Sequence, residues 1–177
     1  MKKALLKSLI VASLFSAVNA QALTQKEEAA KLGASEVTEV RFDRSSHKLT
    51  KESQQQLKEA LAEAEKNGKI KAVKILTWSD KEYPTDEAKE EGKDIKLADQ
   101  RVTTLKDYVK KDLKVWDVGT YNMAERPSKI EKLFRTQDAQ VKESAEQAGI
   151  APNTKTKLGL FDRNAHASKA VVLIYMK

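Results

Sequence analysis

Hydrophobic positions along this chain keep two different periods in turn, and the alternation predicts the elements. Glu36 to Phe42 (EVTEVRF) places Val37, Val40 and Phe42 near a period of two with one slip in phase, and predicts a first strand. Leu57, Ala60, Leu61 and Ala64 follow i, i+3, i+4, i+7, the stripe of an amphipathic helix. Thr50 is its N-cap, Glu52 lies in its first turn, and Asn67-Gly68 stops it. Lys69 to Trp78 (KIKAVKILTW) sets Ile70, Val73, Ile75 and Leu76 between breakers and predicts a second strand. Ser79 to Asp94 keeps no period and contains Pro84 and Gly92, so it reads as a loop that is long for a compact domain.

Beyond that loop, Ile95, Ala98, Val102, Leu105 and Val109 step by 3, 4, 3 and 4, a helix with Asp94 as its N-cap. A third strand is expected around Val115 to Tyr121. Pro127-Ser128 opens a helical region with Ile130, Leu133 and Phe134 on one face. Thr136 caps its continuation through Ala139, Val141 and Ala145, ending at Gly149. Ala151 to Ala167 is rich in turn residues. Ala170 to Tyr175 (AVVLIY) is apolar without interruption, as befits a central strand covered on both faces. The order β-α-β-α-β-α-β argues for an α/β or α+β sandwich, with helices on one or both faces of a small sheet.

The N-terminus changes how charge is read. Met1 to Ala20 has Lys2, Lys3 and Lys7, then an apolar run to Val18, then Val18-Asn19-Ala20. This is the pattern of a secretory signal peptide, with the cut at Ala20 or two residues later at Ala22. The apolar run is short for a membrane span, and no later stretch is long and apolar enough to be one. The mature chain is therefore expected to be exported to a bacterial periplasm, without a transmembrane segment. Residues 21–35 form a polar lead-in, with a short helix on Gln25 to Lys31, and residues 36–177 form one domain. The whole sequence carries a net +7. Without the first twenty residues it has 30 basic and 26 acidic residues, an ordinary balance. The absence of cysteine excludes disulfides, thiolate metal sites, cysteine nucleophiles and a lipidated N-terminal cysteine.

Few residues carry catalytic chemistry. His47 and His166 sit on separate polar loops without a second ligand at metal spacing. The six glycines are scattered singly, so no phosphate-binding loop is present, and there is no G-x-S-x-G elbow. Seven acids lie between Asp80 and Asp94, but the spacing of a calcium loop is missing. The expectation is a non-catalytic protein with no cofactor and no metal. Export, and mixed charge without a basic aromatic stripe, speak against nucleic acid.

One constellation remains. The second strand ends in Trp78-Ser79-Asp80, and the helix after the long loop reads Leu97-Ala98-Asp99-Gln100-Arg101-Val102, with Leu105 and Tyr108-Val109 following. This resembles the OmpA-like peptidoglycan-binding domain, in which a strand ends in T-D or S-D and a helix carries L-S-x-x-R-A-x-x-V-x-x-Y-L. Val40-Arg41-Phe42-Asp43 with Leu49 resembles the family's V-x-F-x-x-x-S-x-x-L opening. Thr120 to Pro127 (TYNMAERP) resembles its G-x-G-E-x-x-P segment. The likeness covers residues 36–177. It implies an α+β two-layer sandwich and a site for the diaminopimelate of the peptide stem. Asp80 would take the ligand ammonium and Arg101 the ligand carboxylate, with Asp94 a weaker candidate where the family has Asn.

The chain also departs from the family. The T-D-x-x-G glycine is absent, about six extra residues part Asp80 from Arg101, and Lys169 is the only base at the start of the last strand. The loop 79–94 is longer, and the helical region 128–149 is additional. The competing expectation is an OmpA-like domain without peptidoglycan binding. Its acidic loop and added helices would then serve as a surface for a protein partner in an envelope complex.

Overall fold

A computed structural model describes residue 27 and residues 30–81, 91–147 and 168–177. The expected signal peptide, residues 82–90 of the long loop and residues 148–167 lie outside these. The described elements are β1 (Glu36–Arg41), α1 (Lys51–Asn67), β2 (Ile70–Thr77), α2 (Gly92–Asp107), β3 (Val118–Asn122), α3 (Lys129–Leu133), α4 (Gln137–Gln147) and β4 (Lys169–Met176). A single π-helical turn, Tyr108–Asp112, prolongs α2. The strands form one sheet in the order β1-β4-β2-β3. β4 runs antiparallel to β1 and β2, while β3 runs parallel to β2 through the α2 crossover. The class is mixed α+β.

The last strand sits where its composition places it. β4 lies between β1 and β2, and its first six residues are buried. An uninterrupted apolar run implies cover on both faces, and both faces are covered. On one, Val40, Val73, Ile75, Val172 and Ile174 pack with Leu57, Leu61 and Ala64 of α1 and Leu105 of α2. On the other, Leu76, Val171, Leu173 and Tyr121 pack with Ala145 of α4 and Ala34, supported by Leu32 and Val141. What resembles a two-layer sandwich thus has a partial third layer. The same arrangement explains the slip of phase in β1. Val37 packs on the α4 side and Val40 and Phe42 on the α1 side, so the strand is regular and two-sided.

Caps set most helix boundaries. Thr50 Oγ1 accepts a hydrogen bond from Ser53 N–H at 3.1 Å at the start of α1. Thr136 Oγ1 accepts from Ala139 N–H at 3.2 Å at the start of α4. Ser128 and Glu131 bond each other's backbone N–H reciprocally, a capping box that opens α3.

Three expectations are corrected. α2 begins at Gly92 with Glu91 as N-cap, so Asp94 lies inside the first turn. β3 begins at Val118, and Trp116 before it is 72% exposed. Leu133 and Phe134 were expected on one face of a helix; α3 ends at Leu133, and the two side chains are 76% and 75% exposed. Val141 and Ala145 of α4 already cover the sheet on that side.

Candidate functional site

The site is built at the end of β2. Trp78 N–H donates to Lys169 C=O at 3.1 Å, which carries the pairing with β4 one residue past the strand. The Trp78 ring is buried among Leu76, Tyr121 and Met123, and this fixes the direction in which Ser79 and Asp80 leave the sheet. On the opposite face, Thr77 Oγ1 donates to Ala98 C=O at 3.0 Å and fastens α2 to β2 one turn before Arg101.

Arg101 is 0% exposed. Its sequence spacing puts it beside the 95, 98, 102, 105 stripe, yet the buried positions of α2 are Asp94, Ala98, Arg101 and Leu105. Arg101 occupies the inward position, and Val102 is half-buried beside it. A buried guanidinium needs partners for its five N–H groups, and five acceptors surround it. Nε donates to Ser46 C=O at 2.8 Å. Nη1 donates to Trp78 C=O at 3.0 Å and Ser79 C=O at 2.6 Å. Nη2 donates to Asp43 C=O at 3.2 Å and to Asp80 Oδ1 at 2.7 Å. The Phe42 ring lies against the guanidinium, 4.9 Å from its centroid.

Asp80 is equally well supplied. Besides Arg101, Ser168 Oγ donates to Oδ1 at 2.6 Å. Ser45 N–H donates to Oδ2 at 2.6 Å and Ser45 Oγ lies 3.3 Å from the same atom. Burial alone would raise the carboxyl pKa. The hydrogen bonds from Ser168, Arg101 and Ser45, with the charge of Arg101, outweigh it and hold the group below its ordinary value. Burial lowers the Arg101 pKa against the pull of Asp80, but a guanidinium starts so high that the pair stays ionised. Ser45 has φ 57°, in the left-handed region that non-glycine residues seldom adopt. The bond to Asp80 holds it there. The clasp thus joins the loop after β1, the end of β2, α2 and the residue before β4.

Asp94 does not share the clasp. Its Oδ2 lies 2.8 Å from Lys81 Nζ, and Lys81 also approaches Glu91 at 3.6 Å. The structure therefore brings Asp80 and Arg101 together and couples Asp94 to the residue that follows Asp80.

A second buried ion pair lies across the sheet. Lys169 Nζ donates to Glu39 Oε2 at 2.8 Å. Burial pushes the Lys169 ammonium pKa down, and Glu39 opposes this. Among the described residues, no group of three or more His, Cys, Asp or Glu is placed to hold a metal ion, and no helix is long and apolar enough to cross a membrane.

Ser45, Ser168 and the carbonyls of Asp43, Ser46, Trp78 and Ser79 were missed from sequence. Ser45 and Ser168 stand in polar stretches with no period to mark them, and a backbone carbonyl has no sequence signature. No protein-family model matches the chain, and a search of curated proteins finds no match.

Proposed function

We propose that this chain is an exported, non-catalytic module of the cell envelope that binds the diaminopimelate-containing peptide stem of peptidoglycan at Asp80 and Arg101. The observation that carries the reading is the pairing itself. A carboxylate and a guanidinium from opposite sides of a long loop lie 2.7 Å apart at the end of the sheet. Together they offer both charges that a zwitterion requires. The Asp80 side chain is 15% exposed, and residues 43–45 beside it are exposed.

The bonding of the fork suggests how a ligand would enter. Nε and Nη2 form one edge of the guanidinium and donate to two neutral carbonyls of one loop, those of Ser46 and Asp43. A ligand carboxylate fits the same edge with two parallel charge-assisted bonds, which are stronger than bonds to neutral carbonyls. Displacing the loop would also release Ser45 from its left-handed conformation. The ligand ammonium would then replace the Ser45 donors on Asp80.

A specific observation favours the second reading. All five N–H donors of Arg101 already have partners within the protein. The clasp would then be structural, and the domain would act through the loop 79–94 and the region 128–149 as a protein-binding component of an envelope complex.

Co-sedimentation with purified sacculi at moderate salt separates the two. The first reading expects the wild type in the pellet. It expects Asp80→Asn to bind about tenfold more weakly, the loss of one charge-assisted contact. Circular dichroism checks that the variant is folded. A wild type that stays in the supernatant overturns peptidoglycan binding and leaves the second reading.

A further inference from the structure

β3 is an edge strand, and one of its hydrogen-bonding sides is open among the described residues. Its ladder to β2 uses odd-numbered positions. Val73 N–H donates to Asp117 C=O at 2.9 Å, and Met123 N–H donates to Thr77 C=O at 2.8 Å. The register between them is regular, from Val73↔Val118 to Thr77↔Asn122. In a parallel ladder, alternate residues turn both backbone groups toward the same neighbour. Val118, Thr120 and Asn122 therefore turn theirs away from β2, toward the side where the sheet has no further strand among the described residues.

A cleft of about 320 Å³ runs along this edge. It is lined by Thr120 and Asn122 of β3, Asp99 and Val102 of α2, and Asp138 and Lys142 of α4. Natural edges are blunted by short length, by cover from a helix or loop, or within the strand by a lysine, a proline, a bulge or a charge, and it is these last four that bear on β3. β3 reads Val-Gly-Thr-Tyr-Asn and has none of these. The other edge strand, β1, carries Glu36, Glu39 and Arg41.

We propose that the β3 edge takes up an extended, Lys- or Arg-bearing segment of a partner polypeptide as a fifth strand. Three outward-facing residues present the backbone donors and acceptors that strand addition uses, and the cleft on either side receives alternate side chains. Charge selects the occupant. Among the described residues, the cleft holds the carboxylates of Asp99, Glu125, Glu131 and Asp138 against Arg126 and Lys142. Lys142 is bonded to Asp138 at 2.9 Å, and Arg126 is engaged with Glu146. The excess is negative, so cationic side chains fit and acidic ones are repelled. This inference does not depend on the clasp at Asp80 and Arg101.

The test is an NMR titration of the full chain with a capped octapeptide of alternating Lys and Thr. The amide resonances of Val118, Thr120 and Asn122 should shift along one binding curve. At saturation their hydrogen exchange should slow at least tenfold, while Gly119 and Tyr121 stay as they were. A Glu-Thr octapeptide should bind at least tenfold more weakly, and the Lys-Thr peptide N-methylated at alternate positions should not bind. Thr120→Pro removes one outward N–H without touching the ladder to β2, and should weaken binding at least tenfold. Should that variant fail to fold, the N-methylated peptide asks the same question of the unaltered protein. Three results would overturn the proposal. The first is no binding. The second is binding that leaves those three amides unmoved. The third is strong protection of the three in the peptide-free protein, which would mean the edge is already occupied.

Discussion

A guanidinium that is fully buried in a domain of this size must be justified one donor at a time, and Arg101 is. Four neutral carbonyls and one carboxylate satisfy it, and among the described residues Asp80 alone balances its charge. Removing one partner of a buried pair leaves the other charge uncompensated, at a cost of about 3–5 kcal/mol. Asp80→Asn should therefore lower stability by about 3 kcal/mol, read as a shift of the urea midpoint. The pH dependence has a definite sign. The Asp80 pKa lies below its reference value of 3.8 in the folded chain. A depressed carboxyl pKa gives stability that is present above the unfolded value and lost as pH falls through the folded one. The wild type should lose stability from about pH 4 downward, and Asp80→Asn should show a flatter loss across that window. Urea unfolding at pH 7, 4 and 3 checks both. At this scale the two charged residues were legible in sequence and their burial was not. Spacing put Arg101 beside the apolar stripe, because a periodicity argument assigns an inward position to the valine next to it.

At the scale of elements, caps and periods did most of the work. Thr50→Ala should cost about 1 kcal/mol, the usual value of an N-cap oxygen, measured by thermal or urea unfolding. α1 was legible because both its cap and its stripe are local. The phase slip of β1 was not, because a strand covered unevenly on both faces breaks alternation without any bulge. β3 allows a sharper expectation. Hydrogen exchange should alternate along it, with Gly119, Tyr121 and Met123 protected and Val118, Thr120 and Asn122 fast. The odd residues bond β2 and the even ones face the open edge. Uniform protection would contradict the edge described here. The five-residue α3 shows the limit of pattern reading. Leu133 and Phe134 have helical spacing with their neighbours yet face solvent, since α4 already covers the sheet behind them.

For the whole molecule, β4 is the centre of stability. It comes last among the described elements yet joins β1 to β2, so the sheet closes only when the chain's end returns to its middle. Its amides should be the slowest to exchange, at or near the free energy of global unfolding. Leu173→Ala should cost about 2–5 kcal/mol, since the side chain is fully buried in the layer beneath α4. A loss below 1 kcal/mol in urea unfolding would mean that this third layer packs loosely.

By itself the sequence determined a mixed helix-and-sheet fold, the element order and the central place of the last strand, while the candidate pair of charges came from a resemblance of motifs. The first three are written in local spacing, in cap residues, or in a run whose composition admits only one environment. The tertiary structure alone decided that Arg101 is buried with every donor matched. It also decided that Ser45, Ser168 and four peptide carbonyls complete the clasp, that Asp94 pairs with Lys81 instead, and that one side of β3 is left open among the described residues. These depend on which groups from distant parts of the chain arrive at the same place. Periodicity carries no record of that, because a hydrogen bond across the fold leaves no spacing between the residues that make it.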